Sequence, residues 1–178
     1  MRRPLTAFVI AIGMLTGLGG TDHARSQIEG WREIAWPYPR DGWPAGRAFR
    51  CDASVCGAAV EVYVRPKIGF CNCEAGVADD DEVDRVADLD LMSQSFVPQE
   101  AGKVIRIAEM SGRFRSYDLA MADGTRHAAV GFALSRRCDL LVAVAQGEGD
   151  ARGVQRAALA FLGSGDMMRW MQLAMNGG

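Results

Sequence analysis

The sequence predicts an α+β domain built on a single antiparallel sheet, and three observations support this. Val60, Val62 and Val64 alternate with other residues, which is the period-two pattern of a strand with one buried face. The dipeptide Asp123-Gly124 separates two strand-like runs and is a strong hairpin signal. Apolar residues recur at helical spacing near the C-terminus, so we expect helices to cover the sheet.

The N-terminus has the features of a secretory signal peptide. Arg2 and Arg3 form a basic start, and an apolar run over residues 4–19 follows. Ala24 and Ser26 supply the small residues that a signal peptidase recognises. The run is shorter than the ~20 residues of a membrane-spanning helix, so we prefer cleavage after Ser26 to an uncleaved anchor. Lysine occurs only twice, as in products of GC-rich bacterial genes, and we therefore predict a periplasmic protein with no transmembrane anchor after cleavage.

We divide the chain into a signal peptide at 1–26, an extended Trp/Pro-rich arm at 27–46 and a single α+β domain at 47–178. The arm contains prolines and a glycine among aromatic residues, a composition that argues against a helix or a central strand. The tryptophans of the arm are Trp31, Trp36 and Trp43. We expect them to pack against the body of the domain, and a surface for a ligand or partner is the alternative.

The strands are expected in two groups. The segments RAFRC and AAVEVYVR form an N-terminal hairpin, joined by a short loop, DASVCG. A four-strand meander follows at 104–110, 114–121, 126–134 and 138–147. Ser111-Gly112-Arg113 makes its first turn, and Asp123-Gly124 closes its second as a two-residue loop.

Three helices are expected outside these strands. Asp79 or Asp80 caps the first, in an acidic run that lacks the glycine and glutamate of an EF-hand and is therefore read as a solvated helix face. A second helix follows Asp150, and a third, capped by Asp166, extends through Met175. This order of elements resembles the Mog1/PsbP/DcrB-type sandwich, in which a meander ends in a C-terminal helix, and the resemblance implies only a fold.

Disulfides are the expected state of the cysteines in an exported chain. The cysteines are Cys51, Cys56, Cys71, Cys73 and Cys138. Cys51 and Cys56 flank a four-residue loop at a hairpin end, where a bridge is feasible. The CNC pair should supply a second bridge, with Cys138 one candidate partner, and one thiol remains over.

The alternative use of the cysteines is a metal or redox site. Cys71 and Cys73, with Cys51 and Cys56, would offer thiolates to copper or zinc, and Cys71-x-Cys73 alone would suit thiol exchange. The spacing lacks the C-x2-C knuckles of zinc ribbons, so structural disulfides are favoured.

No complete catalytic set is visible. A two-residue loop at Asp123-Gly124 would put Asp118 diagonally across from His127, with Ser116 further along the same face. There is neither a G-x-S-x-G elbow nor an H-E-x-x-H motif. We therefore predict a pH-sensitive surface pair, Asp118–His127, and no catalytic residue.

These patterns together favour a non-catalytic accessory protein that binds a periplasmic protein partner. The candidate partner surface consists of Trp31, Trp36, Trp43, Met168 and Met175. The net charge of −2 gives no electrostatic reason to bind nucleic acid. No cofactor is expected, and the alternative function is copper, zinc or thiol-redox handling through the Cys71-x-Cys73 pair.

Overall fold

The fold is known from a computed structural model that describes residues 30–39, 41–69 and 72–176. The strands are β1 (Trp31–Ile34), β2 (Arg47–Cys51), β3 (Val60–Lys67), β4 (Phe96–Pro98), β5 (Lys103–Ile107), β6 (Met110–Ala120), β7 (Arg126–Arg136) and β8 (Asp139–Gly147). The helices are α1 (Ala53–Cys56), α2 (Asp80–Val86), α3 (Ala151–Leu162) and α4 (Gly165–Ala174), with a 3-10 turn at Leu89–Leu91. The strands form one antiparallel sheet in the order β1-β2-β3-β8-β7-β6-β4, and β5 also pairs with β6. The predicted α+β class with a single antiparallel sheet is confirmed.

Each face of the sheet packs on different helices. The face that carries Phe49 and Phe132 is buried under α3 and α4, and we call it the helix face. Phe161 of α3 is 1% exposed there, and burial of a side chain of this size contributes roughly 2 kcal/mol to the free energy of unfolding. The opposite face carries Leu119 and Val142, is partly covered by α2, and is called the α2 face.

Side-chain caps fix where the longer helices begin. The Asp79 carboxylate accepts a hydrogen bond from the Glu82 backbone N–H, and Asp150 does the same for Gly153. The last helix is capped by the Ser164 hydroxyl and not by Asp166, which lies within its first turn. None of the helices in the described part of the chain is long and apolar enough to cross a membrane.

The turns and edges of the sheet differ from the sequence expectations. The turn between β5 and β6 lies at 108–109, where Ala108 has φ 50°, and not at Ser111-Gly112-Arg113. Gly112 instead lies inside β6, and the position requires glycine because a Cβ there would approach the Ala133 carbonyl oxygen to 2.0 Å. Strands β1 and β4 were not predicted, and the segment DASVC contains the short helix α1 rather than only a loop.

The arm is part of the sheet at its start and a cover for it afterwards. β1 pairs with β2, and Trp31 packs on Phe161 with ring centroids 4.3 Å apart. Beyond β1 the chain crosses to the α2 face, where Trp36 and Tyr38 lie edge-on to Tyr63 at 6.0 and 5.0 Å. These ring contacts cover the middle of β3.

A buried cationic cluster ties the arm, β3 and the end of α2 together. Arg65 is 1% exposed, and its guanidinium donates to both carboxylate oxygens of Asp41 at 2.8 and 2.6 Å. It also donates to both oxygens of Asp88 at 2.6 and 2.9 Å. The Lys67 ammonium donates to Asp88 at 2.6 Å and to the Val86 carbonyl at 3.0 Å. Arg65 holds the pKa of Asp41 well below its usual range, so this carboxylate stays charged at neutral pH.

Replacing Asp88 by asparagine should destabilise the fold strongly. Asp88 has φ 62°, a conformation that asparagine also tolerates, so Asp88→Asn removes charge with little backbone strain. The change leaves two buried cations short of a carboxylate, and we expect a loss of about 3 kcal/mol in urea unfolding. Asp90→Asn, two residues away and exposed, should change stability by less than about 0.5 kcal/mol. Equal effects of the two variants would contradict the role of the cluster.

Candidate binding groove

A row of polar side chains crosses five strands at one end of the α2 face. Its members, called the polar row, are Arg32 on β1, Arg50 on β2, Glu61 on β3, Gln146 on β8 and His127 on β7. Arg32 lies opposite Arg50, Arg50 opposite Glu61, and Glu61 opposite Gln146. His127 is two residues along β7 from the residue that faces Gln146, which makes it a diagonal neighbour.

The polar row lines a half-open groove of about 330 Å³. Asp52 and Glu148 stand beside the row, and Ala59, Val60 and Gly147 complete the lining. This volume is at the lower end of the range for ligand sites and fits a small group or one side chain.

Glu61 is the centre of the hydrogen-bond network in the groove. Arg50 donates to its Oε1 through Nε at 2.7 Å and also through Nη2. Tyr63 donates to Oε2 at 2.5 Å and Gln146 Nε2 to the same oxygen at 3.2 Å. Burial raises the pKa of Glu61, but the hydrogen bonds from Tyr63 and Arg50 outweigh it and hold the pKa below its ordinary value. Glu61 is therefore a carboxylate at neutral pH, able only to accept hydrogen bonds.

This network fixes the tautomer of neutral His127. Because the Glu61 carboxylate only accepts, the Gln146 amide must turn its NH₂ group toward it, which leaves the amide oxygen facing His127. That oxygen lies 2.9 Å from Nδ1 of His127 and must receive its hydrogen. Nε2 of the neutral ring therefore carries a lone pair, at a side chain that is 17% exposed beside the groove.

The charged side chains along the groove differ in how closely they are paired with an opposite charge. Arg50 is bonded to Glu61, and Arg32 contacts Asp52 at 3.3 Å. Glu148 is 83% exposed, and the ion-pair contact described for it is His127 Nε2 at 4.0 Å, too long for a hydrogen bond. Two guanidinium groups and three carboxylates line the groove, so its charge is negative while His127 is neutral.

The described lining of the groove offers hydrogen-bond acceptors and cationic groups but no hydroxyl or thiol side chain. Among the described residues that line it there is no serine, threonine or cysteine. The nearby Tyr63 hydroxyl already donates its hydrogen to Glu61. Burial, and to a lesser degree this hydrogen bond, raise the pKa of Tyr63.

The predicted Asp118–His127 pair is wrong. The loop between β6 and β7 spans 121–125 and not two residues, since the Met121 N–H bonds to the Thr125 carbonyl at 2.9 Å. His127 therefore lies opposite Leu119, and Asp118 opposite Ala128. A one-residue change of register moves a side chain to the other face, so Asp118 and Ser116 are separated from His127 by the sheet.

Two disulfides account for four of the cysteines. The predicted Cys51–Cys56 bridge is confirmed, with Cα atoms 6.1 Å apart. Cys73 of the CNC pair bonds Cys138, with Cα atoms 4.2 Å apart, and Cys71 lies outside the described residues. Disulfide sulfurs are not thiolates, so Cys51, Cys56 and Cys73 cannot act as metal ligands in this state. No group of three His, Cys, Asp or Glu side chains in the described chain is arranged to hold a metal ion.

The candidate partner surface is not a continuous exposed patch. Trp31 is 6% and Met175 4% exposed, because both belong to the core under α3 and α4, so these two are wrong as surface residues. Trp36, Trp43 and Met168 are half-buried. Arg65 lies 5.6 Å from the Trp36 ring centroid, and Lys67 6.0 Å from that of Trp43, so both rings serve the buried cluster.

The acidic run of α2 is used within the fold. Asp80 accepts from Arg113 at 2.9 and 2.7 Å and from the Gly102 N–H at 2.8 Å. Asp84 accepts from Arg115 at 2.8 Å and from the Tyr117 hydroxyl at 2.6 Å. These carboxylates fasten α2 to β6.

Sequence reasoning found one member of the polar row, His127, and missed the others. Arg50 and Glu61 stand at outward positions of the predicted hairpin, so their pairing was within reach of the alternation pattern. Gln146 carried no such signal, because β3 and β8 are far apart in the chain and their register is not encoded locally.

Alkylation and mass spectrometry should find at most one reactive thiol in the oxidised protein. Denatured without reductant, the chain should take up at most one label, at Cys71, because the other four cysteines are bridged. After reduction all five should react, and in Cys71→Ser no label should appear before reduction. Three or more labels before reduction would contradict the two bridges.

Neutral His127 should be protonated on Nδ1. Long-range ¹H–¹⁵N correlation spectra at about pH 8.5, two units above the ordinary histidine pKa, report the tautomer directly. Gln146→Leu removes the acceptor and should shift the ring toward the Nε2–H form. Gln99→Leu, at an exposed position outside the groove, is the matched control and should leave the spectrum unchanged. A predominant Nε2–H form in the unmodified protein would overturn this assignment.

Comparison with known proteins assigns no family to the chain. No protein-family model matches it, and no curated protein matches it. Among solved structures, it is similar to a Pseudomonas aeruginosa protein of unknown function, PA94, proposed as a regulator. The alignment has 14% sequence identity and a TM-score of 0.46, and covers 75% of this chain and 94% of that protein. Any function must therefore be argued from the chain's own geometry.

Proposed function

We propose that this chain is a small, exported, non-catalytic accessory protein of the periplasm, and that it binds its partner through the groove. Two disulfides in a chain of 178 residues are typical of proteins that fold in an oxidising compartment. The signal-like N-terminus supports the same location, although it lies outside the described residues.

The observation that carries the binding function is the pre-ordered polar row. Arg50, Tyr63 and Gln146 hold the Glu61 carboxylate in place before any ligand arrives, and Gln146 in turn orients His127. A site whose side chains are already fixed loses little conformational entropy on binding, which favours affinity. Because the groove lacks a nucleophile among its described lining, binding is the function that this geometry supports best.

The proposed partner contact thus differs from the tryptophan and methionine surface expected from sequence. Trp36 and Trp43 cover Arg65 and Lys67 and do not form the proposed contact themselves. The groove begins where this aromatic cover ends. From the order of its elements, we also propose that the fold is related to the Mog1/PsbP/DcrB-type sandwich. This proposal concerns the fold alone and assigns no role to a residue of the groove.

A second candidate function is thiol exchange at the CNC segment. Cys73 is exposed, so the Cys73–Cys138 bond is open to attack by a thiolate. Copper or zinc handling at Cys71-x-Cys73 would first require that this bond be reduced. The thiol count of the native protein separates metal handling, which needs Cys71 and Cys73 both free, from a structural role.

Site-specific photo-crosslinking tests the partner site. A benzoyl-phenylalanine at Arg32, whose side chain is 52% exposed on the groove rim, should give a discrete higher-mass adduct in cells that natively make the protein. The same group at Arg169, 74% exposed on α4, is the control and should give none, because α4 covers the other face. Adding Gln146→Leu to the Arg32 probe should reduce the adduct. An adduct at Arg169 alone, or equal adducts at both positions, would refute binding through the groove.

A further inference from the structure

We infer that the groove recognises a cationic nitrogen group, a primary ammonium or a guanidinium, seated between His127 and Glu148. This inference rests on the proposed function, since it names the chemical group that the groove receives. The shared chemistry would be supplied either by a small amine or by a lysine or arginine side chain of a partner.

The first step is the direction of the hydrogen bonds. Gln146 receives the Nδ1 hydrogen of His127, so Nε2 of the neutral ring is an acceptor at the groove. A ligand must therefore present a donor to this nitrogen. The carbonyls and carboxylates that an anionic ligand would offer have no hydrogen to donate.

The second step is the position of Glu148. Its Oε1 lies 4.0 Å from His127 Nε2, which is too far for direct bonding. A nitrogen donor placed about 2.9 Å from both His127 Nε2 and Glu148 Oε1 would donate a hydrogen bond to each. The bond to the charged Glu148 carboxylate would be the stronger of the two. Two acceptors at this separation are suited to one ammonium or guanidinium.

The third step is the state of the two arginines. Arg50 donates to Glu61 through Nε and Nη2, and Arg32 contacts Asp52, so carboxylates of the groove itself already balance the charge of both guanidinium groups. A cation at His127 and Glu148 displaces none of these pairs. It also neutralises the excess negative charge of the groove lining.

A titration with three ligands of matched length tests the inference. The probes are 1,5-diaminopentane, 1,5-pentanediol and glutarate, added at low salt and about pH 8 to the oxidised full-length mature protein, with NMR signals of His127 and Gln146 as readout. The diamine should shift both signals saturably, and the diol and glutarate should not. Glu148→Gln and His127→Ala should each weaken diamine binding by about tenfold or more, the loss expected for one charge-assisted hydrogen bond.

The matched control is Glu109→Gln, which removes an exposed carboxylate beside Arg136, far from the groove along β7. It should leave diamine binding unchanged, because Glu109 does not line the groove. Both carboxylates are exposed, so neither variant disturbs the core. Equal weakening by Glu109→Gln and Glu148→Gln would show general attraction to an acidic protein and overturn the site. Saturable binding of glutarate in place of the diamine would overturn the cationic assignment.

The two sources of the cation are separated by a peptide pair, acetyl-Gly-Lys-Gly-amide and its norleucine counterpart. Tighter binding of the lysine peptide than of the diamine, with no binding of the norleucine peptide, identifies a partner side chain. Tighter binding of the diamine than of the lysine peptide identifies a free amine. No binding of either cation, together with a persistent adduct from the Arg32 probe, would refute the inference and leave the proposed function standing. Loss of the adduct with retained diamine binding would refute the protein partner alone.

Discussion

The fold depends on how one buried guanidinium is neutralised. Arg65 stands on a central strand of the sheet, and taking its charge out of water is costly unless carboxylates and hydrogen bonds replace the solvent. Asp41 and Asp88 do so from two different directions, one from the arm and one from the turn after α2. The need to neutralise Arg65 therefore positions both the arm and the turn after α2 on the α2 face. Lys67 adds a second buried cation that also requires Asp88.

The groove follows from this arrangement because β3 presents polar groups along its whole α2 face. Glu61, Tyr63, Arg65 and Lys67 stand in sequence at alternate positions, which an apolar helix could not cover. The arm covers the middle of the strand through Trp36 and Tyr38, and Asp88 closes the far end. Glu61 lies at the end of β3 that no described segment covers. Hydrogen bonds from its neighbours, including Arg50, hold its carboxylate in place there.

Local patterns in the sequence were sufficient for much of the sheet but not for its pairing. The alternation of Val60, Val62 and Val64 identified β3, and the capping aspartate with its acidic run identified the start of α2, because each signal depends on a few neighbouring residues. The Asp118–His127 error came from loop length, which decides register and is not fixed by the Asp-Gly dipeptide alone. The polar row required the β3–β8 pairing, a contact between distant segments that a single sequence does not specify.

The Cys51–Cys56 bridge has a consequence for when the groove is complete. Asp52, on the groove rim, lies inside the small covalent ring that this bond closes, and its carbonyl accepts the first backbone bonds of α1 from Val55 and Cys56. Before oxidation the ring is open, and four residues of helix are too few to hold a fixed shape alone. Ordering of this part of the rim therefore requires formation of the Cys51–Cys56 bond as well as folding of the chain. A newly made chain therefore fixes the Asp52 part of the rim only after oxidation, while strand pairing sets the rest of the groove.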